Sequence, residues 1–177
     1  MPNITGFRAS LTNGLVRPNQ FRVNLSFPAN LVPEGVNAAA LGEFHVRAAQ
    51  LPSSTVAAIP VYYNGRAIQV AGEREFQPWT VAVYNEDFLI RDALTRWSHG
   101  FNNITDNSGE IRPAAYQIDL SVTQLDRNGT ELKTVRLVDA MPIDIGAIEL
   151  DWENNNQVEV FQCTFVYNWF EDADITG

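Results

Sequence analysis

The chain has 177 residues and a single cysteine. Cys163 has no partner within the chain, which excludes an internal disulfide framework and leaves nothing that points to an oxidising compartment. Histidine is almost as scarce, with two residues, His45 and His99, far apart in sequence. Neither belongs to a spacing that would pair a base with a nucleophile or assemble metal ligands. There is no glycine-rich phosphate loop, nucleophile elbow or paired-cysteine zinc pattern. No apolar run approaches the length of a membrane span. The opening Met-Pro-Asn-Ile-Thr-Gly lacks the basic and apolar regions of a signal peptide, so a protein made and kept in a cytoplasm is expected. Positive charge is also short: 12 basic residues face 21 acidic ones, for a net charge of −9. That balance does not suit a wrapped nucleic-acid partner, though it permits nucleic acid to slide past without sticking. Lys133 is the sole lysine. The remaining basic residues are arginines, whose rigid planar fork suits ion pairs at protein interfaces.

What the chain does have is apolar content, 45% against 19% charged, enough for a packed core in one domain over 1–177. Its most specific stretch runs from Val70 to Gly100. Ala71-Gly72-Glu73 predicts a tight turn, and Pro78 a strand entrance. Trp79 to Tyr84 predicts a strand with Trp79, Val81 and Val83 on one face. Asn85 is the expected N-cap of a helix, with Glu86 and Asp87 favourably placed in its first turn. Ile90, Ala93, Leu94 and Trp97 recur as one buried stripe, and His99-Gly100 is the expected helix exit.

Elsewhere, residues 1–20 are polar and interrupted by Gly6, Gly14 and Pro18, which predicts an N-terminal arm. Phe21 to Phe27 alternates as a strand, 28–42 is a loop with room for one helical turn, and Phe44 to Ala49 is a second strand. Val56 to Tyr63 and Ala67 to Val70 predict a hairpin closed at Asn64-Gly65. Residues 100–115 predict an exposed loop. Tyr116 to Val122 and Glu131 to Val138 form a second hairpin around Asp126 to Gly129. Ala147 to Trp152 precedes a turn at Glu153 to Asn156. Phe161 to Trp169 then reads as one long strand, either central or covered at its edge by another copy. An acidic tail, 171–177, follows. The expectation is mainly β: an antiparallel sandwich or barrel with one flanking helix.

No catalytic, cofactor-binding or metal-ligating residue is predicted. Glu149, Asp151 and Glu153 project from one face without calcium-loop spacing, which describes a solvated acidic surface. Cys163, set among aromatics, belongs with the core. Trp79, Val81, Leu94, Trp97, Trp152 and Phe165 are assigned to core packing.

Several stretches carry a family resemblance. They are Leu51-Pro52, Ile59-Pro60-Val61, Asn64-Gly65-Arg66-Ala67-Ile68, Val70 to Phe76 and Trp79-Thr80-Val81, then Pro142 to Gly146, Glu149 to Trp152 and the closing strand, with Arg17 to Phe21 near the start. In this order they resemble the tail tube proteins of contractile-tailed (T4-like) bacteriophages. The chain differs in an insertion at 28–42 and in its polar tail after Trp169. The resemblance implies the Hcp-like tail tube fold and hexameric rings whose sheets join into one inner barrel. The rings stack into a hollow tube within a contractile sheath, and DNA passes down the bore without specific binding. Implied partners are further copies of the chain, the sheath protein, and baseplate or initiator and terminator proteins, with no membrane. The implied location is the virion, after assembly in the host bacterial cytoplasm. Gly72, Glu73, Arg74 and Phe76 become subunit-interface candidates on this basis, with Leu51, Pro52, Ser53 and Ser54 toward the next ring. An acidic wall would repel the passing polyanion. Two alternatives stand beside it: the inner tube of a phage-derived injection particle, and a carbohydrate-binding β-sandwich that would stay monomeric.

Overall fold

In the computed structural model, which describes residues 3–11, 15–153 and 155–172, the alternating stretches become strands. They are β1 (Phe21–Asn24), β2 (Val46–Ala49), β3 (Ser54–Tyr63), β4 (Arg66–Phe76), β5 (Trp79–Tyr84), β6 (Ile118–Leu125), β7 (Glu131–Ile145), β8 (Val160–Val166) and β9 (Trp169–Asp172). Helices α1 (Ile4–Ser10), α2 (Gly35–His45), α3 (Leu89–Phe101) and α4 (Pro113–Tyr116) lie between them. Every strand pairing is antiparallel. The main sheet runs β1-β6-β7-β8-β5-β2, with β9 also on β7, while β3 and β4 pair only with each other.

Strand β7 is long enough to serve two sets of partners. Its first part faces β6 and, over Val135 to Val138, also β9; Met141 to Ile145 faces β8. Just before the change of partner, which falls between Ala140 and Met141, Asp139 adopts a left-handed backbone (φ 55°) where the register with β6 shifts. Such a bulge sharpens the local twist and lets one strand bend from one layer into the next. Side chains hold it in place. Asp119 Oδ1 accepts from the Asp139 amide at 3.1 Å, its Oδ2 accepts from Arg136 at 2.7 Å, and Asn168 Nδ2 donates to Asp139 Oδ2 at 3.0 Å.

The core lies where β5, β8 and α3 meet. Trp79, Val81 and Val83 of β5 are buried, as are Ile90, Ala93, Leu94 and Trp97 of α3. Phe165 of β8 sits between Trp79 and Trp97, with ring centroids 5.8 and 6.2 Å away. Both indoles bury their ring without orphaning the N–H: Trp79 Nε1 donates to the Gln50 carbonyl and Trp97 Nε1 to that of Tyr116, each at 2.6 Å. Cys163 is buried in β8, and desolvation pushes its thiol far above the ordinary range, with Asp144 adding to the effect and Arg91 opposing it.

Several expectations change. Asn85 does not cap α3; its amide and side chain both bond Glu159, extending the β5 edge, and the helix starts after Phe88, which is left-handed (φ 55°). Gly100 lies inside α3, one residue before its end, rather than at its exit, and it packs so closely on Leu31 that a Cβ there would come within 2.8 Å of it. The loop expected at 28–42 contains α2, which runs on through Phe44 and His45 and so shortens the second strand. The expected loop at 100–115 is interrupted by α4, and Tyr116 ends that helix instead of starting β6. The long final strand is central, between β5 and β7, but it breaks at Tyr167 and Asn168 into β8 and β9. The break is set by Asn168, whose amide donates to the Val138 carbonyl at 3.0 Å. The N-terminal arm carries α1, with Gly14 outside the described residues. Of the acidic tail, Glu171 and Asp172 belong to β9, and 173–177 lie outside the described residues.

Candidate assembly interface

A two-residue turn at Asn64-Gly65, both with positive φ (48° and 78°), matches the twist of the strands it joins and folds β3 back on β4. The resulting ribbon pairs Ile59 with Val70, Val61 with Ile68 and Tyr63 with Arg66 on one face. The other face carries Ala58 with Ala71, Pro60 with Gln69 and Tyr62 with Ala67. Neither face is covered: Ile59 is 51% exposed, Ile68 59%, Tyr62 74% and Tyr63 72%. Exposed apolar surface this continuous marks an interaction site rather than a solvated hairpin.

At its base the ribbon is fastened to the body. Phe76 packs against Tyr167 and Phe170, at centroid distances of 6.1 and 5.6 Å, and Tyr167 OH donates to the Gln77 carbonyl at 2.9 Å. The Gln77 amide donates to the Ser53 carbonyl at 3.2 Å. Pairing of β3 with β4 thus brings the two sets of interface candidates together, Leu51 to Ser54 on one side and Gly72 to Phe76 on the other. Leu51, Glu73 and Arg74 are exposed, Pro52 and Ser54 half-buried, and Arg74 donates to Ser54 Oγ at 2.7 Å. Gly72 is not in a turn. It occupies a bulge in β4, where Gly72 and Glu73 together oppose Ala57, and a Cβ at this position would meet the Ala57 carbonyl oxygen at 3.0 Å.

The ribbon's exposed apolar faces were not singled out in the sequence reading. The signal is Val56-Ala-Ala-Ile-Pro-Val-Tyr-Tyr63 itself, which does not alternate with polar residues and so describes a strand buried on both sides.

A second open surface lies at the far end of β7. Here the chain leaves Gly146 and runs irregularly to β8, enclosing a groove of about 880 Å³ that also reaches Arg47. Its floor is fixed by Arg91 donating to the Gly146 carbonyl and the Gly146 amide donating to Gln162, each at 2.7 Å. Ala147 to Trp152 forms no strand, so Glu149, Asp151 and Glu153 are loop residues, and Asn154 lies outside the described residues. Trp152, assigned to the core by its type, is fully exposed at 101%, with Leu150 and Val158 also in solvent. Trp79, Val81, Leu94, Trp97 and Phe165 are buried. Among the described residues no group of His, Cys, Asp and Glu is arranged to hold a metal.

Solved structures share this fold. A tube-terminating cap of the anti-feeding prophage superposes with a TM-score of 0.64 at 16% identity, covering 89% of this chain and 90% of that one. The sheath-tube complex of an extracellular contractile injection system in its extended state gives 0.61 at 12% identity, covering 97% and 98%. The architecture is therefore one used by components of contractile injection machines. At the level of sequence, the model of the phage tail tube protein family matches residues 16–172. Tail tube protein gp19 of Enterobacteria phage T4 is 30% identical over 171 residues, 93% of this chain and 96% of that protein. The tail tube protein of Serratia phage KSP90 is 24% identical, over 94% and 95%. The chain belongs to the phage tail tube protein family and is a structural subunit of a contractile tail.

Proposed function

We propose that copies of this subunit close into six-fold rings and that the rings stack into a hollow tube through which DNA leaves the particle. The observation that carries the reading is the β3–β4 ribbon, apolar on both faces and covered on neither. A ring or stack of identical subunits supplies the cover through a heterologous contact that repeats from copy to copy. Edge strands β1 and β2, at the two ends of the main sheet, are the donors and acceptors that neighbours can complete. Gly72, Glu73, Arg74 and Phe76 take part at the ribbon base, with Leu51, Pro52, Ser53 and Ser54 beside them.

The role is non-enzymatic. A net charge of −9 suits a duct that DNA traverses without adhesion. A sheath around the tube, a terminator at its end and a baseplate at its start are the expected partners. In their support, fold relatives come from an injection-system sheath-tube complex, a sheath/tube terminator and a six-fold symmetrised baseplate. The subunit is assembled in the host cytoplasm and ends in the virion.

Negative-stain microscopy of the purified chain, alone and seeded with tail baseplates, tests this. Rings or hollow tubes are expected, and Arg74→Glu is expected to impair assembly while the subunit stays folded. Material that remains single-copy at high concentration, even with baseplates present, overturns the proposal.

A further inference from the structure

Two unpartnered surfaces of this chain complement each other. The tip of the ribbon carries Arg66 on the same face as Tyr63, with both side chains exposed, and Arg66 makes no ion pair among the described residues. The groove between β7 and β8 carries acidic Glu149, Asp151 and Glu159 with Arg47, beside the exposed Leu150 and Trp152. One surface is an aromatic and apolar finger ending in a cation. The other is a concave site with apolar walls and an excess of carboxylates.

We propose that the groove receives the ribbon tip of a second copy of this chain, Arg66 pairing with Glu149 and Asp151 while Tyr63 packs on Leu150 and Trp152. The inference rests on the tube reading and deepens it by naming which surfaces meet. Charge complementarity selects a neighbouring ribbon as occupant: the groove's three carboxylates outnumber Arg47, and the free cation at the tip supplies what they lack. Trp and Tyr provide large, stiff contact area at little conformational cost, while a guanidinium matches carboxylates in a planar fork. Finger and groove are different surfaces, so the contact is heterologous and propagates from copy to copy. Glu159 is already held, accepting from Asn85 Nδ2 at 2.5 Å, and so shapes the site; Asp151 Oδ1 accepts only from the Glu153 amide at 3.0 Å, and neither Asp151 nor Glu149 forms an ion pair among the described residues.

Two substitutions on different molecules test this. Chains carrying Tyr63→Cys and chains carrying Leu150→Cys are co-assembled into tubes and mildly oxidised; the native Cys163 is buried and does not compete. The expected result is a disulfide-linked two-chain species on a denaturing gel from the mixture and from neither variant alone, since a disulfide forms only between closely apposed chains. In parallel, Arg66→Glu is expected to abolish sedimentable polymer. The double variant Glu149→Arg with Asp151→Arg should do the same, and combining both sets should restore it. Tubes that form normally with Arg66→Glu and give no cross-link overturn this pairing and leave the tube reading standing. A wild-type chain that never polymerises overturns both.

Discussion

β4 and β5 are separated only by Gln77 and Pro78, and both are rich in apolar residues, yet they meet opposite fates. Trp79, Val81 and Val83 of β5 are buried in one core with the α3 stripe and the neighbouring β8 residues, whereas Ile68 and Val70 of β4 remain in solvent beside Val61 and Ile59. Strand propensity and hydrophobicity do not distinguish the two. The helix does: α3 follows β5 directly and lays its stripe of Ile90, Ala93, Leu94 and Trp97 over the core, while among the described residues nothing returns to cover the faces of the ribbon. Apolar composition alone therefore does not tell a strand that its own chain covers from one that it leaves exposed.

The contrast can be broken at either end. Trp97→Ala should have the largest effect, about 3–5 kcal/mol of lost stability in denaturant unfolding, because it empties the space between Phe27 and Phe165 and removes the donor to Tyr116. Gly72→Val comes next. Its side chain meets the Ala57 carbonyl and Ile59 at the bulge, and a cost of about 1–3 kcal/mol is expected, read as faster amide exchange confined to the ribbon. The pair Ile59→Ser and Val70→Ser should change the stability of the isolated subunit by no more than about 0.5 kcal/mol, since both sites are exposed. The same pair should abolish polymer in a sedimentation assay. A large drop in subunit stability instead would mean that the ribbon is packed within its own chain.

The smallest effect is at the β6–β7 turn. The Asp126 carboxylate accepts from the amides of Thr130 (2.9 Å) and Asn128 (2.6 Å), and these bonds, Thr130 first, hold its pKa below the usual carboxylate value. A depressed folded pKa means that the stabilisation is present above the unfolded value and is lost as pH falls through the folded one. An NMR titration of Asp126 should give a midpoint below 3.8, with the amides of Thr130 and Asn128 shifting in step. Asp126→Asn should leave assembly unchanged.

Much of the body was legible because its signals are large and periodic. The α3 stripe, the alternation of β5 and β8 and the Asn64-Gly65 hairpin were all apparent without coordinates. Helix α2 was not, because its buried face is built from Gly35, Ala38 and Gly42, which lie flat against Phe27 and Leu25, while Val36 and Phe44 point outward. A scan for large apolar residues sees that pattern reversed. Gly72 was read as a turn because glycine serves both turns and bulges, and only the partner strand decides between them. Trp152 was assigned inward on residue type alone, with no periodic neighbours to fix its side. The extent of β7 was hidden because Asp139 and Pro142 look like chain breakers, yet one forms the bulge and the other pairs with Phe165.

The continuity of β7 through Asp139 has a mechanical meaning. A push on one layer reaches the other along covalent bonds, without depending on side chains gripping across a gap. The hydrogen bonds from Asp119 and Asn168 hold that elbow at a set angle.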